Sequence, residues 1–286
     1  MAFYPLYANT QHEKCLAVPA WFPFNWKDRD TVYQMLFTLQ CVGQFNLTNI
    51  YGVSDTLIMC LLLITGKQLE LLGCNFQNCV YNTLLQLGIS KTTVLEFSFN
   101  HDGEYRHQLS KKSKINTNLL YLLIKTDKFQ KLLQLNLHEC VRHHQEILAF
   151  IRRLEKFIWP ILTIKIVSSM FYHILICFVI VCNANRTFFY TLGQYEVMAV
   201  YELLLFSYFG QYLVTKGQHL QTQVYACPWY INQNAFMKSF LIALKGCQRY
   251  PYLSIAKITP LTLATFLSIM KTSTSYFTVL RQTIEK

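Results

Sequence analysis

The run from Ile258 to Gln282 constrains this chain more than any other stretch. It holds about 25 mostly apolar residues, roughly 37 Å as a helix at 1.5 Å per residue, enough to cross a bilayer core of about 30 Å with some tilt. Its polar residues are ordered. Ser268, Thr272, Ser275, Val279 and Gln282 follow one another at steps of four, three, four and three, so four polar groups and one valine share a single helical stripe. Small hydroxyl residues on an apolar helix have two physical uses. They let neighbouring helices approach and hydrogen-bond, or they wall a water-filled path, with Val279 as an apolar collar where a pore closes by dewetting.

The chain as a whole belongs in the bilayer. Of 286 residues, 52% are hydrophobic and only 14% charged, with a mean hydropathy of +0.22, too apolar for an ordinary soluble domain. Four apolar crossings are expected: residues 31–72, 157–182, 194–215 and 258–282. The segments between them carry the charge. Residues 73–156 hold nearly half of the lysines and arginines, and residues 216–257 hold five with no acid, which marks both as cytoplasmic. Residues 1–30, the loop 183–193 and the tail 283–286 are then extracellular. The opening residues lack the basic, apolar and small-residue succession of a signal peptide.

Several residues invite sharper chemistry. Asp55, Lys165 and Lys271 lie inside expected crossings, where a charge costs about 2.5 to 3.5 kcal/mol on the insertion scale and calls for a partner or water. Cys140 and His144 are one helical turn apart within Leu137–His144, but no further ligands at zinc spacing accompany them, so no metal or other cofactor is expected. Ten cysteines form no disulfide framework by spacing. No nucleophile, base and acid set, paired carboxylates or Gly-rich phosphate loop argues for an enzyme, and no catalytic residue is expected. The net charge of +11 is accounted for by the inner segments, so nucleic acid is not an expected partner. Asn185-Arg-Thr187 is a glycosylation pattern in an outer loop, whereas Asn46-Leu-Thr48 falls inside a helix.

The succession Tyr225-Ala-Cys-Pro-Trp-Tyr230, Gln248-Arg-Tyr-Pro251, Pro260-Leu-Thr-Leu263 with Phe266, and Lys271 followed by Ser275-Tyr-Phe-Thr-Val-Leu280 resembles the C-terminal signature of insect odorant receptors. That resemblance implies an all-α, polytopic membrane bundle whose last helix lines the pore of a tetrameric ligand-gated cation channel. It places Val279 and Gln282 at the gate, with Ser275, Thr272 and Ser268 along the same wall. It implies a heterotetramer with an odorant co-receptor in the plasma membrane and small volatile apolar ligands. The string Pro19-Ala-Trp-Phe-Pro-Phe24 resembles the loop after the family's third helix, so the resemblance implies a receptor without its first three helices. Residues 91–127 have no counterpart in the family and look like an insertion. Phe37, Phe45, Tyr201 and Tyr208 are candidates for an odorant pocket, although aromatic residues at helical spacing also serve plain packing. The alternatives are a non-functional truncated receptor fragment and a membrane receptor acting through G proteins, against which the outward C-terminus argues.

Overall fold

The computed structural model describes residues 29–94, 122–182, 186–231, 234–255 and 257–284, together with Leu16 and residues 21–23. Among these the chain is helical apart from one small hairpin. Helix α1 spans Asp30–Gln77, α2 Cys79–Gln86, α3 Asp127–Cys182, α4 Arg186–Tyr225, α5 Asn234–Cys247 and α6 Leu263–Ile284. Strands β1 (Ser254–Ile255) and β2 (Thr259–Pro260) pair antiparallel with Ser254 opposite Pro260. Three helices, α1, α3 and α4, are long and apolar enough to cross a membrane among the described residues. The fourth expected crossing corresponds to α6, whose 22 residues rise about 33 Å.

Two boundaries differ from expectation. The last helix begins at Leu263 rather than 258, because Lys257 takes a left-handed φ of 60° and closes the β1–β2 turn. Pro260, without an N–H to give, ends β2 and cannot continue a helix backwards. The outer loop is also shorter than 183–193, since α4 is already helical at Arg186. The crossings 157–182 and 194–215 are parts of longer rods: α3 runs 56 residues and α4 runs 40, both continuing past the apolar stretch into polar sequence.

The chain divides into two compact units, residues 1–60 and 61–286. In the first, α1 exposes Met35, Leu39, Phe45, Ile50 and Val53. Its polar residues serve themselves: Thr38, Thr48, Asn49 and Thr56 each donate to the carbonyl four residues earlier at 2.8 Å, the way a helix hides hydroxyls and amides from lipid. Asn46 sits mid-helix.

The second unit holds a conventional apolar core. Leu62, Leu69, Leu72 and Phe76 of α1, Val80 and Leu84 of α2, Phe129, Leu133 and Leu137 of α3, Leu213, Leu220 and Val224 of α4, and Phe236 and Phe240 of α5 are buried. Glycines let these rods close up. A Cβ on Gly66 would lie 2.3 Å from Tyr212 Cε1, and one on Gly210 would lie 2.2 Å from the carbonyl oxygen of Leu261, distances no carbon tolerates. The signature residues of the C-terminal half now have a mechanical role. Tyr250 and Pro251 cover Gly217, Leu261 covers Gly210, and Trp229 stacks on Phe240 with ring centroids 6.3 Å apart, so the segment after α4 is folded back onto α4 and α5. The hydroxyl of Ser254 donates to Glu155, and the Lys257 ammonium lies 5.1 Å over the Trp159 ring, fastening the hairpin to α3.

Candidate functional site

Helix α6 packs against α3 and α4. At 100° per residue, Phe266, Ile269, Met270 and Ser273 form one face, with Ser273 only 2% exposed and the other three partly covered. Ser268, Thr272, Ser275, Val279 and Gln282 fall within an arc of about 80° on the opposite face, and every one of them is exposed. The structure thus brings the five stripe residues together on a face that the described residues leave uncovered. The Thr272 hydroxyl donates to the Ser268 carbonyl at 2.9 Å, and Thr278 does the same to Thr274 at 3.0 Å. Those hydroxyls still offer their oxygen lone pairs outward, so the face carries acceptors rather than bare donors.

Lys271 flanks the stripe. It lines an open groove of about 430 Å³ with Leu267, Met270, Thr274, Ser275 and Thr278. The lysine is exposed and has no acidic partner among the described residues.

Lys165 does have one. Its ammonium lies 2.6 Å from Glu202 Oε1 on α4 and 5.3 Å over the Phe206 ring. Two turns further along α3, His173 Nδ1 meets Glu196 Oε1. Both pairs are centred near residue 184, as expected when two helices run antiparallel around one turn. Charged residues inside apolar helices face each other rather than lipid, because an unpaired charge there is expensive. The second carboxylate oxygen of Glu196 is buried with no hydrogen-bond partner among the described residues. The His173 pair escaped the reading of the sequence. Its signal was available: Glu196 and Glu202 stand about as far after residue 184 as His173 and Lys165 stand before it.

Of the candidate pocket residues, Tyr201 and Tyr208 stand seven apart on α4 and are 56% and 54% exposed. In the first unit, Phe37 is half-buried with its ring centroid 6.0 Å from that of Tyr33, and Phe45 is exposed. Asp55 is half-buried there and accepts from the Ser54 hydroxyl at 3.4 Å. Asn185 lies outside the described residues, as does most of the stretch 91–127. Among the described residues no group of three His, Cys, Asp or Glu side chains could hold a metal. Cys140 faces Cys79 instead, and His144 is buried.

The model of the family described as 7tm Odorant receptor matches residues 1–274. The chain belongs to the odorant receptor family. Odorant receptor 83a of Drosophila melanogaster is 24% identical over 279 residues, covering 94% of this chain and 61% of that protein. Putative odorant receptor 85e of the same fly is 23% identical over 282 residues, covering 96% of this chain and 60% of the relative. The solved structure of the insect olfactory receptor OR5 from Machilis hrabei, in complex with eugenol, superposes with a TM-score of 0.66 at 13% identity, covering 98% of this chain and 61% of that one. The chain therefore spans about three fifths of the length of the relatives it matches. Its fold is an all-α membrane bundle shared with OR5.

Proposed function

We propose that this odorant receptor is the odorant-binding subunit of a non-selective cation channel in the plasma membrane, assembled with a co-receptor as a heterotetramer and serving olfactory signal transduction. The carrying observation is the exposed stripe on α6. A helix that packs through Phe266 and Ser273 while turning Ser268, Thr272, Ser275, Val279 and Gln282 outward has spent its apolar contacts on its own subunit. Four such faces meeting around an axis make a polar-walled path with one ring of valine, narrow enough to close by dewetting. Gln282, one turn beyond Val279, offers an amide to passing ions. In this reading the basic segments 73–156 and 216–257 are cytoplasmic, their helices hold the tetramer together, and the chain ends outside.

In this reading Tyr201 and Tyr208 of the second unit are candidates for contacting an odorant, and so, in the first unit by itself, are Phe37 and Phe45; all four are rigid aromatic surfaces suited to small volatile apolar ligands. Eugenol, the ligand named for OR5, is a sensible first compound to try.

The test is co-expression with an insect co-receptor in cells, with whole-cell current recorded during a panel of odorants. Odorant-evoked cation current absent from the co-receptor alone supports the proposal. In that assembly Val279→Ala raises the ligand-free current and Gln282→Ala alters relative ion permeability. If the complex conducts but both variants leave the current unchanged, the stripe is a packing surface and not the pore wall. If the chain reaches the surface and stays silent with every ligand, it acts as a receptor fragment.

A further inference from the structure

The charged end of the molecule holds a second chemical feature, a pair of thiols opening onto a cavity. Asn136 of α3 donates from Nδ2 to Thr83 Oγ1 at 2.8 Å and to Gln86 Oε1 at 2.9 Å, which sets the register of α2 against α3. One turn before Thr83 on α2 stands Cys79, and one turn after Asn136 on α3 stands Cys140. Antiparallel register places these two alongside each other across the α2–α3 contact, where both line one cavity. Cys79 is 2% exposed, whereas Cys140 is half-buried, and both line a cavity of about 360 Å³ with Asn75, Asn82, Arg142 and His143.

The two thiols are unequal. The neighbouring Cys79 thiol lowers the Cys140 pKa, against burial and the nearby Glu139 charge, and the proximity of Cys140 together with burial pushes Cys79 far up. The pair therefore sheds its first proton from the more accessible sulfur. Cys227 and Cys247, both buried, are pushed up to about 12 by burial and stay protonated. A half-buried thiol of lowered pKa beside a fully buried thiol is the arrangement of a redox-sensitive cysteine and its resolving partner.

We propose that Cys140 is a hydroperoxide-reactive thiol resolved by Cys79, making this cavity a site of oxidative modification. The Cys140 thiolate attacks the terminal oxygen of the peroxide. The O–O bond breaks, the sulfur is oxidised by two electrons to sulfenic acid, and the peroxide is reduced to an alkoxide or hydroxide that takes a proton from water. Cys79 sulfur then attacks the Cys140 sulfur. Hydroxide leaves with the Cys79 proton as water, and a disulfide joins α2 to α3. A small thiol such as glutathione supplies the two electrons that return the pair to its reduced form.

This is tested on the full chain in detergent or nanodiscs, treated with hydrogen peroxide, with peptides read by non-reducing mass spectrometry. The unmodified receptor should yield a Cys79–Cys140 cross-linked peptide that has lost two hydrogens and is restored by dithiothreitol. Cys79→Ser should stop at the sulfenic acid, trapped at Cys140 by dimedone about tenfold more than at the exposed Cys74. Cys79→Ala repeats the measurement should the serine variant fold poorly, and the cross-link in the unmodified chain needs no variant at all. A cross-link from Cys140 to Cys227 instead, no cross-link at all, or equal dimedone labelling of Cys74 and Cys140 would overturn the proposal.

Discussion

Helix α3 contains two proteins' worth of logic in one rod. Before Lys156 it exposes charge, with Arg142 bridging Glu139 at 2.7 Å and reaching toward Glu146 at 3.9 Å, and it buries Phe129, Leu133 and Leu137. After Lys156 the exposed face turns apolar. Phe157, Ile164, Val167 and Phe171 face outward, and the inward positions hold, besides the buried Ile158, Leu162 and Ile166, Lys165 and His173 paired to glutamates of α4. Water rewards apolar burial in the first half, at about 25 cal/mol for each Å² removed from it, and that term is missing where lipid is the solvent. The charged half is thus held by its core. The apolar half adds close backbone approach and polar pairs to its few buried side chains.

The contrast breaks most visibly under one substitution made in each half. Phe129→Ala, at a site fully buried in the charged half, should lower stability by about 3 to 5 kcal/mol. Phe171→Ala, at a ring 63% exposed on the apolar half, should change it by less than about 0.5 kcal/mol. Thermal unfolding of the detergent-solubilised receptor, followed by tryptophan fluorescence, compares them directly. Equal losses would mean that Phe171 is covered by protein and not by solvent or lipid.

Close approach gives the next largest effect. Gly210→Val sets a side chain against the Leu261 carbonyl, where even a Cβ would stand 2.2 Å away, and should cost about 1 to 3 kcal/mol. Gly52→Ala meets nothing within 4 Å and should stabilise its helix by up to about 1 kcal/mol. Monodispersity on size-exclusion chromatography, with the unfolding midpoint, separates the two. A neutral Gly210→Val would show that α4 and the segment after β2 do not depend on this contact.

How legible was this in the sequence? The bundle was, because apolar runs of 20 or more residues have few alternatives, and the α6 stripe was, because a four-three repeat of polar residues survives any detail of packing. The start of α6 was not. Residues Ile258 to Leu261 are apolar enough to extend the helix, and only the left-handed Lys257 and the pairing of Ser254 with Pro260 turn them into a hairpin. Asp55, Lys165 and Lys271 were recognised as needing partners, but partner choice is a tertiary fact: Glu202 lies 37 positions from Lys165. The thiol pair was out of reach for the same reason, as Cys79 and Cys140 sit on different helices on either side of residues 95–121, which lie outside the described structure.

The polar pair in the apolar half gives a third, smaller effect. Lys165→Met leaves Glu202 without its cation, but Glu202 is 44% exposed, which limits the loss to about 1 to 2 kcal/mol. Adding Glu202→Gln removes the orphan charge, so the double variant should recover most of that loss. A double-mutant cycle on unfolding midpoints measures the coupling. If the double variant is no better than Lys165→Met alone, the lysine acts through its contact with the Phe206 ring and not through the ion pair.

The last and smallest effect belongs to the charged half and concerns pH. His144 is only 7% exposed, and burial first, then the neighbouring His143, lowers its pKa below the ordinary 6.5. The folded chain therefore holds this imidazole neutral at pH values where the unfolded chain has already taken up a proton. Below about pH 6.5 the unfolded state binds more protons, so stability falls as pH falls, at no more than about 1.4 kcal/mol per pH unit for this one group. His144→Gln keeps a polar side chain of similar reach but cannot titrate. Its unfolding midpoint should fall less steeply between about pH 7 and pH 5 than that of the parent, while the two should share one slope above pH 7. Parallel acid slopes for His144→Gln and the parent would mean that His144 takes its proton in place, and that the charged half opens to water there more than its packing indicates.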